Sequence, residues 1–206
     1  MGLSLVAALG CAAPGGSRPR GDARGCSEAS GSESCAADGG RAIAELRAQV
    51  ARLEAIHEIE RLKARFMRCI DTKNLVCLRD EVFAPGAEIR FKGADYDITA
   101  AGWTQIEQFY QGAFTTAKFG MHHAHTPEIE VDGETARGKW YLHDVFVNLE
   151  DDTTLQGSAL YDESYAKLDG RWRIMFSTYE RLWEETTPRD PRTKLGSRPV
   201  KEPVKE

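Results

Sequence analysis

The sequence is short of the features that mark a nucleic-acid binder, a membrane-spanning protein or a cysteine-built metal site. Lys and Arg number 27 against 32 Asp and Glu, a formal net charge of −5. No basic block stands out against that balance, so the electrostatic footprint of a nucleic-acid partner is missing. No run of about 18 apolar residues occurs, and no ordinary membrane span is expected. The five cysteines, at 11, 26, 35, 69 and 77, form no Cys-x-x-Cys pair, which argues against a zinc ribbon or a thioredoxin-type site. Cys69 and Cys77 fall in or near a helix and read as free thiols. What is left is an ordinary composition, 41% apolar and 29% charged, in a chain long enough for one domain with appendages.

The chain opens on MGLSLVAALGCAAPGG. Leu3 to Ala13 is small and apolar, as in the h-region of an export signal, but the basic residues that precede such a region are missing. The stretch ALGC, ending at Cys11, resembles the lipobox of bacterial lipoproteins, whose cysteine is lipidated after cleavage. Ala8 and Leu9 depart from its preferred pattern. Residues 1–13 are therefore expected to be a leader and Cys11 a lipidation site. The protein would then be an exported or membrane-anchored bacterial lipoprotein, with the cytoplasm as the alternative location. Residues 12–40 are rich in Gly, Ser, Ala and charge and lack aromatics, so they read as a disordered linker. Residues 186–206 read as a disordered tail.

Further on, periodicity takes over. Ile43, Leu46, Val50, Leu53, Ile56, Ile59, Leu62, Phe66 and Ile70 recur every three or four positions, which predicts a helix over about 42–70. Its start, 41–55, reads as an extended helical arm and its end as part of a domain spanning 55–185. LVCLRDEVF predicts a short helix ended by Pro85-Gly86, AEIRFKG a strand, and GWTQIEQFYQGAF another helix. The period then becomes two. Asp132-Gly133 and Asp169-Gly170, each flanked by alternating apolar residues, predict two hairpins. Helices followed by a meander imply an α+β fold. In it, N-terminal helices wrap a curved antiparallel sheet into a cone with an internal apolar pocket.

KFGMHHAHTPEIEVDG holds three of the five histidines: His122, His123 and His125. His123 and His125 are placed to share a strand face, and His143 or Asp144 to approach them in space. No carboxylate or cysteine partner stands near in sequence, so no metal and no cofactor are expected. Ile129 and Val131 share parity with His123 and His125, opposite to His122. Pro127 predicts a break in the strand, across which parity does not carry. His57 and His143 read as ordinary polar-face residues.

IERLKARFMRCIDTKNLVCLRDEVFAPGAEIRF resembles the opening of SnoaL-like proteins of the nuclear transport factor 2-like superfamily. HHAHTPEIEVDGETARGKW resembles their HH…NPxIEVDGDxA segment, and YDESYAKLDGRWRI their closing Asp-Gly-x-Trp-x-Ile stretch. Together these cover roughly 55–185. Members include scytalone dehydratase, bile acid 7α-dehydratase, hexachlorocyclohexane dehydrochlorinase and proteins of no known activity, so the segments specify fold better than reaction. The resemblance implies a catalytic pair of Asp71, at the end of the first helix, and His122, with His123 as second choice. Such a pair would drive elimination or isomerisation of a small apolar, steroid-like or polyketide-like molecule. Phe66 stands where some family lyases carry Tyr or Lys, and Ser177 where some carry Arg. Those departures keep open a non-catalytic ligand-binding or assembly module tethered by its N-terminus. Phe66, Trp103, Trp140, Tyr161, Tyr165, Ser177 and Tyr179 are the expected pocket residues. The long helix and the family's habit imply a homo-oligomer, dimer or trimer.

Overall fold

The computed structural model describes residues 32–196, with side chains from 38 onward. The leader with Cys11, most of the linker and the end of the tail lie outside the described residues. Contacts divide the chain into two units at Glu45/Leu46. Helix α1, Ser32–Asp71, contains that division. Its start lies earlier than the apolar period predicted, so residues 32–40 are helical and not the expected linker. Alanine there favours a helix, and acidic residues suit the positive end of the helix dipole.

Within the second unit α1 changes character along its length. Leu46, Val50 and Leu53 are exposed, whereas Ala55, Ile59, Leu62, Phe66 and Met67 are buried. Burying each large apolar side chain contributes on the order of 1.5–3 kcal/mol, which ties this part of the helix to the body. The chain then reverses sharply. Thr72 N donates to Arg68 O, Asn74 N donates to Cys69 O, and Lys73 sits at φ 54°. Asn74 Oδ1 accepts from Cys77 N at 2.9 Å and starts α2, Leu75–Cys77. This reversal brings the Cα atoms of Cys69 and Cys77 to 5.9 Å and the two form a disulfide. The expected free thiols are thus paired. The sequence placed the two cysteines on successive helices but carried no sign of how sharply the chain reverses between them.

A single π-helical turn, α3, covers Leu78–Val82, and β1 runs Phe83–Lys92. Pro85-Gly86 therefore lies inside a strand and does not end the helix, which stops at Val82. The strand accepts the proline at an irregularity, where its register on the neighbouring strand shifts between Phe83 and Glu88. β2, Asp97–Ala101, follows, a strand too short for the alternation to reveal. Next come α4, Gly102–Ala113, and four long strands: β3 Lys118–Asp132, β4 Thr135–Asn148, β5 Thr153–Leu168 and β6 Arg171–Pro188. Both predicted hairpins are present, with Gly133 at φ 58° and Gly170 at φ 73° in their turns.

The sheet order is β2-β1-β6-β5-β4-β3. Neighbours are antiparallel except β1 and β6, so the expected antiparallel sheet carries one parallel seam. β3 is interrupted where Pro127 predicted: its register shifts between His125 and Glu128, and Thr126 adopts φ 51°. One core joins Ile59, Leu62 and Phe66 of α1 and Ile106 and Tyr110 of α4 to inward residues of the strands, such as Leu142 and Ile174. Among the described residues no helix is long and apolar enough to cross a membrane.

Candidate active site

A cavity of about 270 Å³ opens among α1, α4 and the strands. Its wall is mostly apolar, with Ile70, Phe91, Phe109, Phe114, Leu142 and Phe146 among the lining side chains. His122 and Asp144 add polar groups.

Asp71, the last residue of α1, is aimed at β3. Its Oδ1 lies 2.7 Å from His122 Nδ1, and its Oδ2 accepts from the His122 backbone N at 3.3 Å. A carboxylate only accepts hydrogen bonds, so Nδ1 carries the proton, and in the neutral imidazole Nε2 holds the lone pair. The His122 side chain is 16% exposed and that of Asp71 28%. Gly120 gives the imidazole its place. A Cβ there would lie 2.8 Å from His122 Cε1 and 3.3 Å from Nδ1.

The other histidines are elsewhere. His123 and His125 are exposed on the opposite face of β3. His123 faces His143 across the strands, with ring centroids 6.4 Å apart, and His125 stacks on Tyr141. The break at Pro127 explains why His122 is the inward residue although its parity opposes that of Ile129. His57 sits exposed on α1 beside Glu60.

Of the seven expected pocket residues, Tyr161 and Tyr179 line the cavity. Phe66, Trp140, Tyr165 and Ser177 are buried in the core instead, and Trp103 packs partly buried against it. Their surroundings explain the difference. Glu163, 1% exposed, accepts from Lys63 Nζ at 2.8 Å and from Ser177 Oγ at 2.6 Å on Oε1. Tyr165 OH donates to Glu163 Oε2 at 2.5 Å and accepts from Trp140 Nε1 at 2.9 Å. The Lys63 ammonium also sits 3.3 Å from the Tyr161 ring centroid. Burial pulls the Lys63 pKa from 10.5 to about 8, against the charge and hydrogen bond of Glu163. Burial and Glu163 together push Tyr165 well above the usual phenol range.

A second polar group went unrecognised in the sequence. Arg181 donates to both carboxylate oxygens of Asp144, at 2.5 and 2.8 Å, and Nε donates to Tyr96 OH at 3.0 Å. Burial would lower the Arg181 pKa, but Asp144 and Tyr96 outweigh it and the net shift is upward. Strand parity could have found these residues. Asp144 falls in step with Trp140 and Leu142, Glu163 with Tyr161 and Tyr165, and Arg181 with Ser177 and Tyr179. A charged residue at an inward position is the signal.

Helices closed over a six-stranded curved sheet, with an apolar cavity between, define the nuclear transport factor 2-like class. Within it, the chain belongs to the SnoaL-like domain family, whose model matches residues 51–178. Solved structures of the same fold include a candidate scytalone dehydratase from Novosphingobium aromaticivorans, 18% identical, covering 68% of this chain and 91% of that one with a TM-score of 0.58. Hexachlorocyclohexane dehydrochlorinase LinA-type3 from Novosphingobium barchaimii is 15% identical, with 70% and 96% covered and a TM-score of 0.57. A candidate aromatic ring hydroxylase from N. aromaticivorans is 19% identical, with 66% and 94% covered and a TM-score of 0.60. The fold is one that small-molecule dehydratase-type proteins use.

Proposed function

We propose that the protein is a cofactor-independent lyase or isomerase acting on a small, largely apolar molecule, steroid-like or polyketide-like. The observation that carries this reading is the 2.7 Å Asp71–His122 contact at the wall of an apolar cavity. His122 Nε2 takes a proton from a substrate C–H. The electron pair of that bond then forms a C=C bond as a leaving group departs from the next carbon. In an isomerisation the pair is instead reprotonated elsewhere by the same imidazolium. Asp71 holds the ring and stabilises the cation that forms. Apolar walls exclude water, which strengthens that stabilisation.

The experiment is a turnover screen of cyclic ketones and hydroxylated polyketide fragments, with deuterium uptake from D2O as a second readout. Replacing His122 by Ala is expected to abolish turnover and leave the fold intact. Asp71→Asn is expected to cost about 10²–10⁴-fold, because the imidazole loses its orienting carboxylate. Full activity in either variant ends the proposal. The ligand-binding reading is favoured by the burial of Phe66 and Ser177 in the core, away from the cavity. It takes over if ligands bind and none is turned over.

Export through a lipid on Cys11 stays part of the proposal. The Cys69–Cys77 disulfide supports it, because such bonds persist in oxidising compartments.

A further inference from the structure

A second recess lies apart from the His122 cavity, and the two share no lining residue. It encloses about 290 Å³ between one face of α1, the end of α3 and the start of β6. Arg61 and Arg65 come from α1, Glu81 from α3, and Arg171 and Arg173 from β6. The sheet leaves room for it. β1 pairs with β6 only from Ile174 onward, so no strand covers the Arg171–Arg173 edge on that side.

The charges of this recess do not balance. Its four arginines stand against two glutamates, Glu58 and Glu81, an excess of two positive charges. Both glutamates are already engaged. Glu81 Oε2 lies 3.1 Å from Arg65 Nε, and Glu58 Oε2 accepts from Lys167 Nζ at 3.1 Å. Asp80, beside Glu81, accepts from Arg79 Nε at 2.7 Å. Arg61, Arg171 and Arg173 thus have no ion pair among the described residues. Their spacing makes like charges neighbours. Arg61 and Arg65 are four apart on one helix face, and Arg171 and Arg173 two apart on one strand face. Such pairs destabilise the free protein. Burial first, then Arg171 and Arg65, pulls the Arg173 pKa below the usual guanidinium range, against Glu81 and Asp80. Arginines on a convex surface are simply solvated, but these four line a concave one.

The wall also narrows the kind of anion. Leu62 and Trp172 are its large apolar residues and the rest is mostly charged, so it suits a compact hydrophilic group. Guanidinium forks match phosphate oxygens two at a time. A phosphomonoester carries a charge of about −1.5 to −2 at neutral pH, which answers the excess in the recess.

The geometry points to a phosphomonoester-binding recess in which Arg61, Arg171 and Arg173 take the phosphate oxygens while Arg65 stays with Glu81. The group is the same on a soluble phosphate compound and on phosphatidic acid in a membrane. The recess stands whether or not His122 is catalytic, and its test reads no turnover.

The test uses the full chain at pH 7.5 and constant ionic strength. Replacing chloride by inorganic phosphate, at about ten times its Kd by calorimetric titration, is expected to raise the melting temperature by about 2–4 °C. Arg171→Gln/Arg173→Gln is expected to abolish that rise, with the melting temperature in chloride held or raised because the repulsion is relieved. Arg47→Gln/Arg52→Gln, the same charge change on the exposed start of α1, is expected to keep it. Flotation with phosphatidic acid vesicles, against phosphatidylglycerol vesicles of equal charge, separates the two sources. A response to free phosphate without a preference for phosphatidic acid assigns the recess to a soluble compound. A preference for phosphatidic acid that Arg171→Gln/Arg173→Gln removes, without a response to free phosphate, assigns it to the lipid headgroup. Neither response, or responses that survive in Arg171→Gln/Arg173→Gln, overturns the proposal.

Discussion

Gly120 shows how much of this site depends on a missing atom. The His122 ring occupies the space a Cβ would need, with Cε1 2.8 Å from its ideal position. The φ of Gly120 lies outside the left-handed region, so alanine fits the backbone and the strain falls on the imidazole. Gly120→Ala is expected to turn the ring off Asp71 and lower kcat/KM roughly 10²-fold, with little change in melting temperature. Unchanged kcat/KM would contradict this role. Lys63 is the matching case in the core. Its pKa of about 8 lies below the ordinary 10.5, because burial penalises the ammonium. Between those values the unfolded chain binds the proton and the folded chain does not, so this group makes stability rise with pH from about 8 to 10.5. The melting temperature of the wild type, measured across that interval, should rise relative to a Lys63→Met/Glu163→Gln double variant. Removing both partners avoids a lone buried charge. Parallel pH profiles would show that Lys63 is not the source.

At the scale of elements, the reversal after α1 does two jobs. It ends the helix at Asp71, beside β3, and it folds Cys77 back onto Cys69. A disulfide closing a loop of sequence separation 8 stabilises by about 2–3 kcal/mol in the chain-entropy account. Cys77→Ser, or reduction, should therefore lower the melting temperature by several degrees and loosen the Asp71 end of the helix. No shift on reduction would mean the pair contributes nothing. Both hairpins and the α4 helix were legible, because a turn dipeptide or an apolar period lies within one short window. β2 was not, since five residues with one large apolar side chain, Ile98, are too few to show a period. The extent of the short helix was also misread. Pro85 signals a break in either a helix or a strand, and only the pairing of β1 with β6 decides which.

For the whole molecule, oligomerisation and export remain proposals with direct tests. Leu46, Val50 and Leu53 are 59%, 52% and 65% exposed, an apolar stripe that none of the described residues covers. Association with another copy would cover it, and light scattering at tens of micromolar is expected to give a dimer or trimer mass; a monomer mass would refute it. Cys11→Ser is expected to abolish membrane fractionation in a bacterial host. Wild-type protein found wholly in the cytosol would refute the lipid anchor. The sequence by itself determined the α+β class, the SnoaL-like family, and Asp71 and His122 as the pair to examine. Those follow from short-range periods and contiguous motifs. Tertiary structure alone decided that His122 meets Asp71, 51 positions away, and that Arg181 reaches Tyr96 across 85. It also decided that Lys63 and Glu163, 100 residues apart, bury each other and draw Ser177 and Tyr165 out of the pocket. Such contacts depend on how the sheet curves and on how far each bulge shifts a register; Pro127 marks one such break, but no local residue says which distant side chains it brings together.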